Sequence, residues 1–275
     1  MPDKLSRLRK ALLSHYDIER ELGRGGAAVV YLAQDLRHSR LVALKVLRAE
    51  VASVLGTDRF LREISIAARL SHPHILPLYD SGAVEGFVYY VMPYVEGDSL
   101  EVRLANEGRL AVDESLRIAS EVAKALDYAH RHGIIHRDIK PGNVLFSDGH
   151  ALITDFGFAR ALNEARGRLT PAGLVVGTPV YMSPEQASGW EDLDGRADIY
   201  SLGCTLFEML TGEPPFTART PLAVLARHAG EMPPSIRVVR PEVSEQVERA
   251  VMMALEKDRK DRPGSGEEFR ENFSG

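Results

Sequence analysis

Along the chain from Tyr16 to Pro93, short apolar stretches rich in Val, Leu and Tyr are separated by Gly or polar turns. Four of them read as strands: Asp17 to Leu22, Val29 to Gln34, Val42 to Leu47 and Phe87 to Met92. The pattern breaks once, where Thr57 to Leu70 carries Phe60, Ile64, Ala67 and Leu70 at helical spacing, with Asp58 near its start as a capping or first-turn acid. A small, mainly β lobe with one helix packed on it follows. After Glu96, Gly97 and Asp98 the periodicity turns helical, and Asp113 to His130 places Leu116, Ala119, Val122, Ala123, Leu126 and Ala129 on one stripe. Ala197 to Leu210, Thr220 to His228 and Ser244 to Leu255 are further helical patterns, divided by Gly/Pro clusters at Thr211 to Pro215 and Glu231 to Pro234. The expected fold class is α+β, with a β-rich lobe over residues 16–93, a linker over 94–97 and a helical lobe over 98–273. A cleft between two such lobes is a common place for a ligand. The basic, amphipathic extension over residues 1–15 is open to two readings, a helix on the small lobe or a frayed end.

Composition narrows the function classes. The 275 residues are 44% hydrophobic and 27% charged, with a formal charge of -5, so no global basic field points to nucleic acid or an anionic membrane. Any phosphate-binding must be local. The single cysteine, Cys204, lies in an apolar run, which excludes a disulfide framework and a cysteine-rich metal site and reads as a small buried core residue. No apolar stretch approaches the ~20 residues that a membrane-spanning helix needs. The expectation is a cytoplasmic chain, or the cytosolic part of a larger membrane-anchored protein.

Candidate chemistry begins with the glycine-rich turn Gly23, Gly25, Gly26 and Ala28 between two strand patterns. Glycines there let backbone N–H groups approach a polyphosphate, although an ordinary hairpin has the same composition. Lys45 changes the weighting. Alternation that puts Val42, Leu44 and Val46 on one face puts Ala43, Lys45 and Leu47 on the other, where an unpaired ammonium is costly. Glu63 lies on the apolar stripe of the helix at 57–70 rather than opposite it, and a Lys45–Glu63 pair accounts for both anomalies. The strongest signal is His136-Arg137-Asp138-Ile-Lys140-Pro-Gly-Asn143, followed twelve residues after Asn143 by Asp155-Phe156-Gly157. Two acids, an amide and a basic residue at fixed short spacings suit a nucleoside triphosphate with a hard cation. Asn143 plus Asp155 is an oxygen-only ligand set.

Taken in order with Gly177-Thr178-Pro-Val-Tyr-Met-Ser-Pro184-Glu185, with Asp198 and with Arg262, these segments resemble the protein kinase family, specifically the bacterial eukaryotic-like serine/threonine kinases. The resemblance runs from Tyr16 to Phe273. It implies a bilobal kinase fold and transfer of the ATP γ-phosphate to Ser or Thr hydroxyls of proteins. By that resemblance Lys45 holds the α- and β-phosphates and Asp155 and Asn143 bind Mg2+, for which Mn2+ could substitute. Asp138 orients or accepts the proton of the substrate hydroxyl, Lys140 neutralises the transferring phosphoryl, and Thr178 hydrogen-bonds around Asp138. Leu22, Gly23, Gly25, Gly26, Val30, Ala43 and Leu145 would enclose the nucleotide, with Met92 at the back of its pocket and the backbone of Pro93 and Val95 reading the purine edge.

Pro93 stands where Glu is more usual in the family, but the position needs only a carbonyl. Ala28 replaces the third glycine of the loop. Arg137 implies control by a phosphate on the loop between Asp155 and Glu185, with Thr170 as its site, and Glu185, Arg262 and Asp198 read as architectural. Partners implied are Ser/Thr-bearing proteins and a second copy of the chain in autophosphorylation, with no nucleic acid. Two rivals stand beside this. A pseudokinase scaffold commonly lacks one of the equivalents of Lys45, Asp138, Asn143 or Asp155, all present here. A small-molecule phosphotransferase should lack the peptide-receiving segment at 177–185.

Overall fold

The computed structural model describes residues 4–156 and 179–273, and these form two units. Residues 4–71, 76–96 and 156 make the first; 72–75, 97–155 and 179–273 make the second.

The first unit is a five-stranded antiparallel sheet in the order β1-β2-β3-β5-β4. Its strands are β1 (Tyr16–Arg24), β2 (Ala28–Asp35), β3 (Arg40–Leu47), β4 (Asp80–Val84) and β5 (Phe87–Pro93). The alternation expected of β3 splits its side chains between two layers. Val42, Leu44 and Val46 join Tyr16, Ile18, Val29, Tyr31 and Val91 on one face, whereas Ala43 and Leu47 join Val88, Tyr90 and Met92 on the other. Helix α1 (Lys4–Leu12) covers the first face with Leu8 and Leu12, so the N-terminal stretch is a docked helix. The second face is covered by α2 (Ala49–Leu55) and α3 (Thr57–Ala67), which contribute Leu55, Phe60 and Ile64. Helix α3 stops three residues earlier than the sequence periodicity suggests: Ala68 to Leu70 leave it in a turn, yet Leu70 remains buried. Two elements of this unit escaped the sequence reading. The sequence of β4, Asp-Ser-Gly-Ala-Val, has little intrinsic strand preference and is held by its ladder to β5, and α2 is only seven residues long.

The second unit is built on two helices, α5 (Val112–Arg131) and α7 (Arg196–Thr211). Of the sixteen residues of α7, thirteen are buried, so it is apolar on every side and shows little amphipathic periodicity. Cys204 sits there fully buried, and burial pushes its thiol up. Around this pair lie α4 (Leu100–Glu107), α6 (Pro184–Ala187), α8 (Pro221–Gly230), α9 (Ile236–Val239), α10 (Glu245–Ala254) and α11 (Gly266–Glu271), with a two-stranded hairpin of β6 (Val144–Ser147) and β7 (His150–Ile153). Ser99, Ser183, Thr220, Ser244 and Ser265 each cap a helix by accepting a backbone N–H. Residues 72–75 join this unit because Ile75 bridges Ile153 and the Ile153 N–H donates to the His74 carbonyl at 2.9 Å. No helix among the described residues is long and apolar enough to cross a membrane.

Two predictions follow from packing. A Cβ on Gly266 would stand 2.2 Å from the backbone oxygen of Ala123 on α5, which has no side-chain freedom to yield. Gly266→Ala should therefore destabilise the chain by about 3 kcal/mol, read from its urea midpoint. His228 on α8 is completely buried, edge-on to Phe216 and hydrogen-bonded to Tyr200. Burial, with help from the Lys257 ammonium, lowers its pKa from 6.5 to about 4, against an opposing hydrogen bond to the Val180 carbonyl. Between those values the unfolded chain binds a proton that the folded chain refuses, so stability falls as the pH drops through this window. Urea unfolding at about pH 7 and about pH 5 should differ by about 2 kcal/mol from this group, and His228→Gln should shrink the difference.

Candidate active site

In the first unit, Leu22, Val30, Ala43 and Met92 meet in the same apolar cluster as Phe60, Ile64 and Tyr90. The register explains the meeting, since Gly23 pairs with Val30, Val30 with Lys45, and Ala43 with Met92. Lys45 rises from that layer, with its Nζ 5.8 Å from the centre of the Tyr90 ring. Tyr90 lies 6.2 Å from Phe60, and Glu63, one helical turn beyond Phe60, is buried. The glycine turn closes through the Gly25 N–H donating to the Ala28 carbonyl at 2.9 Å. A Cβ at Gly23 or Gly26 would touch no protein atom within 4 Å, and neither has a positive φ, so the fold itself does not require glycine there. Pro93 ends β5 opposite Val42, and half-buried Val95 follows it.

In the second unit the chemistry is organised by the hairpin. Asp148 and Gly149 join β6 to β7 with φ of 50° and 78°, the two-residue turn whose twist matches paired strands. The ladder runs back through Leu145 opposite Leu152 and Val144 opposite Ile153, and then the Thr154 N–H donates to the Asn143 carbonyl at 3.0 Å. Twelve residues of sequence thus fold back so that Asn143 and Asp155 stand at one end of the hairpin. Asp155 holds φ 71°, a strained conformation for a residue with a Cβ.

The preceding loop is fixed from inside. Asp198, fully buried at the start of α7, accepts from the His136 N–H at 2.8 Å, the Arg137 N–H at 2.7 Å and His130 Nε2 at 2.7 Å. Burial works to raise this carboxyl, but the His130 hydrogen bond and the neighbouring imidazoles bring it below the usual carboxylate range. Arg137, with φ 68°, is gripped on its other side by Gln186 Nε2, which donates to its carbonyl at 2.9 Å. His136 Nδ1 accepts the Asp138 N–H at 3.2 Å, so its protonated Nε2 donates to the Thr154 carbonyl at 2.8 Å. The loop and the hairpin are one assembly. On it, Asp138 Oδ2 takes Lys140 Nζ at 2.8 Å and Asn143 Nδ2 at 3.0 Å, while Asn143 Nδ2 also lies 2.6 Å from the Asp138 carbonyl. A carboxylate held by an ammonium and an amide, beside a second carboxylate at the hairpin end, can orient a hydroxyl and hold a hard cation.

A protein kinase domain model matches residues 16–274. The chain belongs to this family. Over 267 residues the kinase domain is 42% identical to the serine/threonine-protein kinase PknB of Mycolicibacterium smegmatis, covering 94% of this chain and 42% of that protein. It is 41% identical to PknB of Mycobacterium tuberculosis over 267 residues, with the same coverage. A probable serine/threonine-protein kinase of Streptomyces coelicolor is 41% identical over 269 residues, 95% of this chain and 40% of the relative. The kinase domain therefore spans about two-fifths of the length of the curated relatives it matches.

Thr170 and Thr178, with Gly157 and Gly177, lie outside the described residues. Sequence reasoning missed His130 and Gln186, which act only on backbone and a buried carboxylate. It also missed the Asp148-Gly149 turn, whose dipeptide is a strong hairpin signal. Glu185 and Arg262 form a buried two-point pair at 2.7 and 2.9 Å, and Arg262 also donates to the carbonyls of Glu256 and Lys257. Burial alone would raise the Glu185 carboxyl, but the Arg262 guanidinium holds it below the usual range. Arg262→Met should cost about 3–5 kcal/mol by leaving that carboxylate buried alone, and adding Glu185→Leu should recover part of the loss in urea unfolding.

Proposed function

We propose that this kinase domain transfers the γ-phosphate of ATP to Ser and Thr hydroxyls of proteins, including its own loop. The observation that carries the reading is the Asp138 carboxylate, held at 2.8 Å by Lys140 and 3.0 Å by Asn143 on a loop fixed through Asp198. Asp138 orients the acceptor hydroxyl and takes its proton as the oxygen attacks the γ-phosphorus and the bond to the bridging oxygen breaks, releasing ADP. Lys140 offsets charge that builds on the phosphoryl oxygens. No covalent enzyme intermediate is needed, since positioning and electrostatics supply the rate enhancement.

The residues present fit a nucleotide with a divalent cation. Asn143 and Asp155 offer oxygen donors at one hairpin end, the kind of ligand a hard cation takes, and would hold Mg2+ or Mn2+. When bound, the cation would neutralise phosphate charge. Gly23 and Gly26 leave space that no protein atom fills, as close backbone approach to phosphate requires. Lys45 holds the α- and β-phosphates and is aimed by Glu63. Supporting that pair, Lys45 Nζ lies 5.8 Å from the centre of the Tyr90 ring, which lies 6.2 Å from Phe60, and Glu63 is buried one helical turn beyond Phe60. Leu22, Val30, Ala43 and Met92 take the adenine, and the backbone of Pro93 and Val95 reads its edge. Thr170 is the regulatory phosphorylation site of this reading, acting through Arg137, and Thr178 serves the substrate side of Asp138. The reaction belongs in the cytoplasm, where ATP is plentiful.

Incubation of the purified chain with radiolabelled ATP and Mg2+, followed by phosphosite mapping, tests this. The chain should label itself, Asp138→Asn should lower the rate by about 10²–10⁴-fold, and Thr170→Ala should lose label at that position. Tight ATP binding with no transfer from the parent chain would overturn the reading.

A further inference from the structure

Beside Pro179–Tyr181 runs a line of buried polar groups that the mechanism above does not use. Tyr200, on α7, is fully buried and places its hydroxyl 2.8 Å from His228 Nδ1. Lys257 Nζ lies 3.4 Å from that hydroxyl and 4.2 Å from the centre of the Phe216 ring. On the far side of the imidazole, His228 Nε2 stands 2.9 Å from the carbonyl of Val180. A carbonyl can only accept, so Nε2 carries the proton and the neutral ring accepts at Nδ1. Every donor therefore points one way, from Lys257 to Tyr200 to His228 to Val180. The next residue is tied down as well: the Tyr181 carbonyl accepts from Ser201 Oγ at 2.7 Å and its hydroxyl donates to Glu208 at 2.6 Å.

Burying a phenol and an imidazole beside a half-buried ammonium is costly, and some proteins retain such networks for the geometry they enforce rather than for stability. The one backbone group that this line reaches is Val180. We propose that His228 is a positioning residue for the protein substrate: through the Val180 carbonyl it sets the conformation of residues 179–181, within the segment that the kinase reading assigns to receiving the peptide around the acceptor hydroxyl. The inference rests on the protein kinase reading above. Tyr200 orients the ring, and Lys257 orients Tyr200. The charged and titratable groups facing the imidazole are these two alone among those that shift it or bond to it, with Phe216 closing the side.

The test is steady-state kinetics at neutral pH, with myelin basic protein as acceptor, on the parent chain and on His228→Leu, His228→Gln and Tyr200→Phe. His228→Leu should raise KM for myelin basic protein about 10-fold while KM for ATP and kcat stay within about twofold, the signature of lost acceptor binding. His228→Gln, which keeps a donor for Val180, should restore most of the affinity. Tyr200→Phe should fall between them, and it carries the test if the Leu variant does not fold. Parent-like KM for myelin basic protein in both Leu and Phe variants would overturn the proposal, as would parallel losses for ATP and acceptor that track the melting temperature. A parent chain that transfers no phosphate to any acceptor would instead overturn the kinase reading on which it rests.

Discussion

A fully buried carboxylate is intolerable unless its lone pairs are met, and Asp198 is met by two backbone N–H groups and one imidazole. The rest of the large unit's chemistry depends on that constraint. Because two of the donors are consecutive amides, satisfying the charge also dictates the backbone at His136 and Arg137. Arg137 takes a left-handed conformation that would cost about 1–3 kcal/mol if nothing held it. The turned backbone then aims His136 at Thr154 and Asp138 at Lys140 and Asn143. Charge burial in one place is thus converted into atomic placement in another.

The parts that were legible in the sequence were those governed by periodicity or by an anomaly within it. Strand β3 could be read as an apolar Val- and Leu-rich stretch in which Lys45 is the one charge, and the two faces of its alternation are the two apolar layers found on the sheet. Glu63 was legible for the same reason, an acid on an apolar stripe. Helix α7 was visible as an apolar run although its burial on all sides erases amphipathicity.

What was not legible is held by partners rather than by its own composition. Strand β4 exists because β5 offers it a ladder, and α1 is fixed by an apolar face that Leu8 and Leu12 complete. His130 and Gln186 carry no local signal, since their partners lie 68 and 49 residues away in the sequence. The hairpin is a different case, because Asp148-Gly149 announced the turn and lay unused between two recognised motifs. That turn explains how Asn143 and Asp155 come to share one end of a ladder, which spacing alone could not establish.

The two halves of this loop assembly differ sharply in the length of chain they must close. The hairpin joins Ser147 to His150 across two residues, a local event that a nascent chain completes quickly. The Arg137 contact with Asp198 spans 61 residues, and the loop entropy of such a closure must be met before the contact gives anything back. The hairpin can therefore stand ready while the loop before it still lacks its anchor. The proposed phosphoryl transfer demands both, so a chain that has acquired only its local structure is silent, and competence waits on a long-range closure rather than on the first compact state.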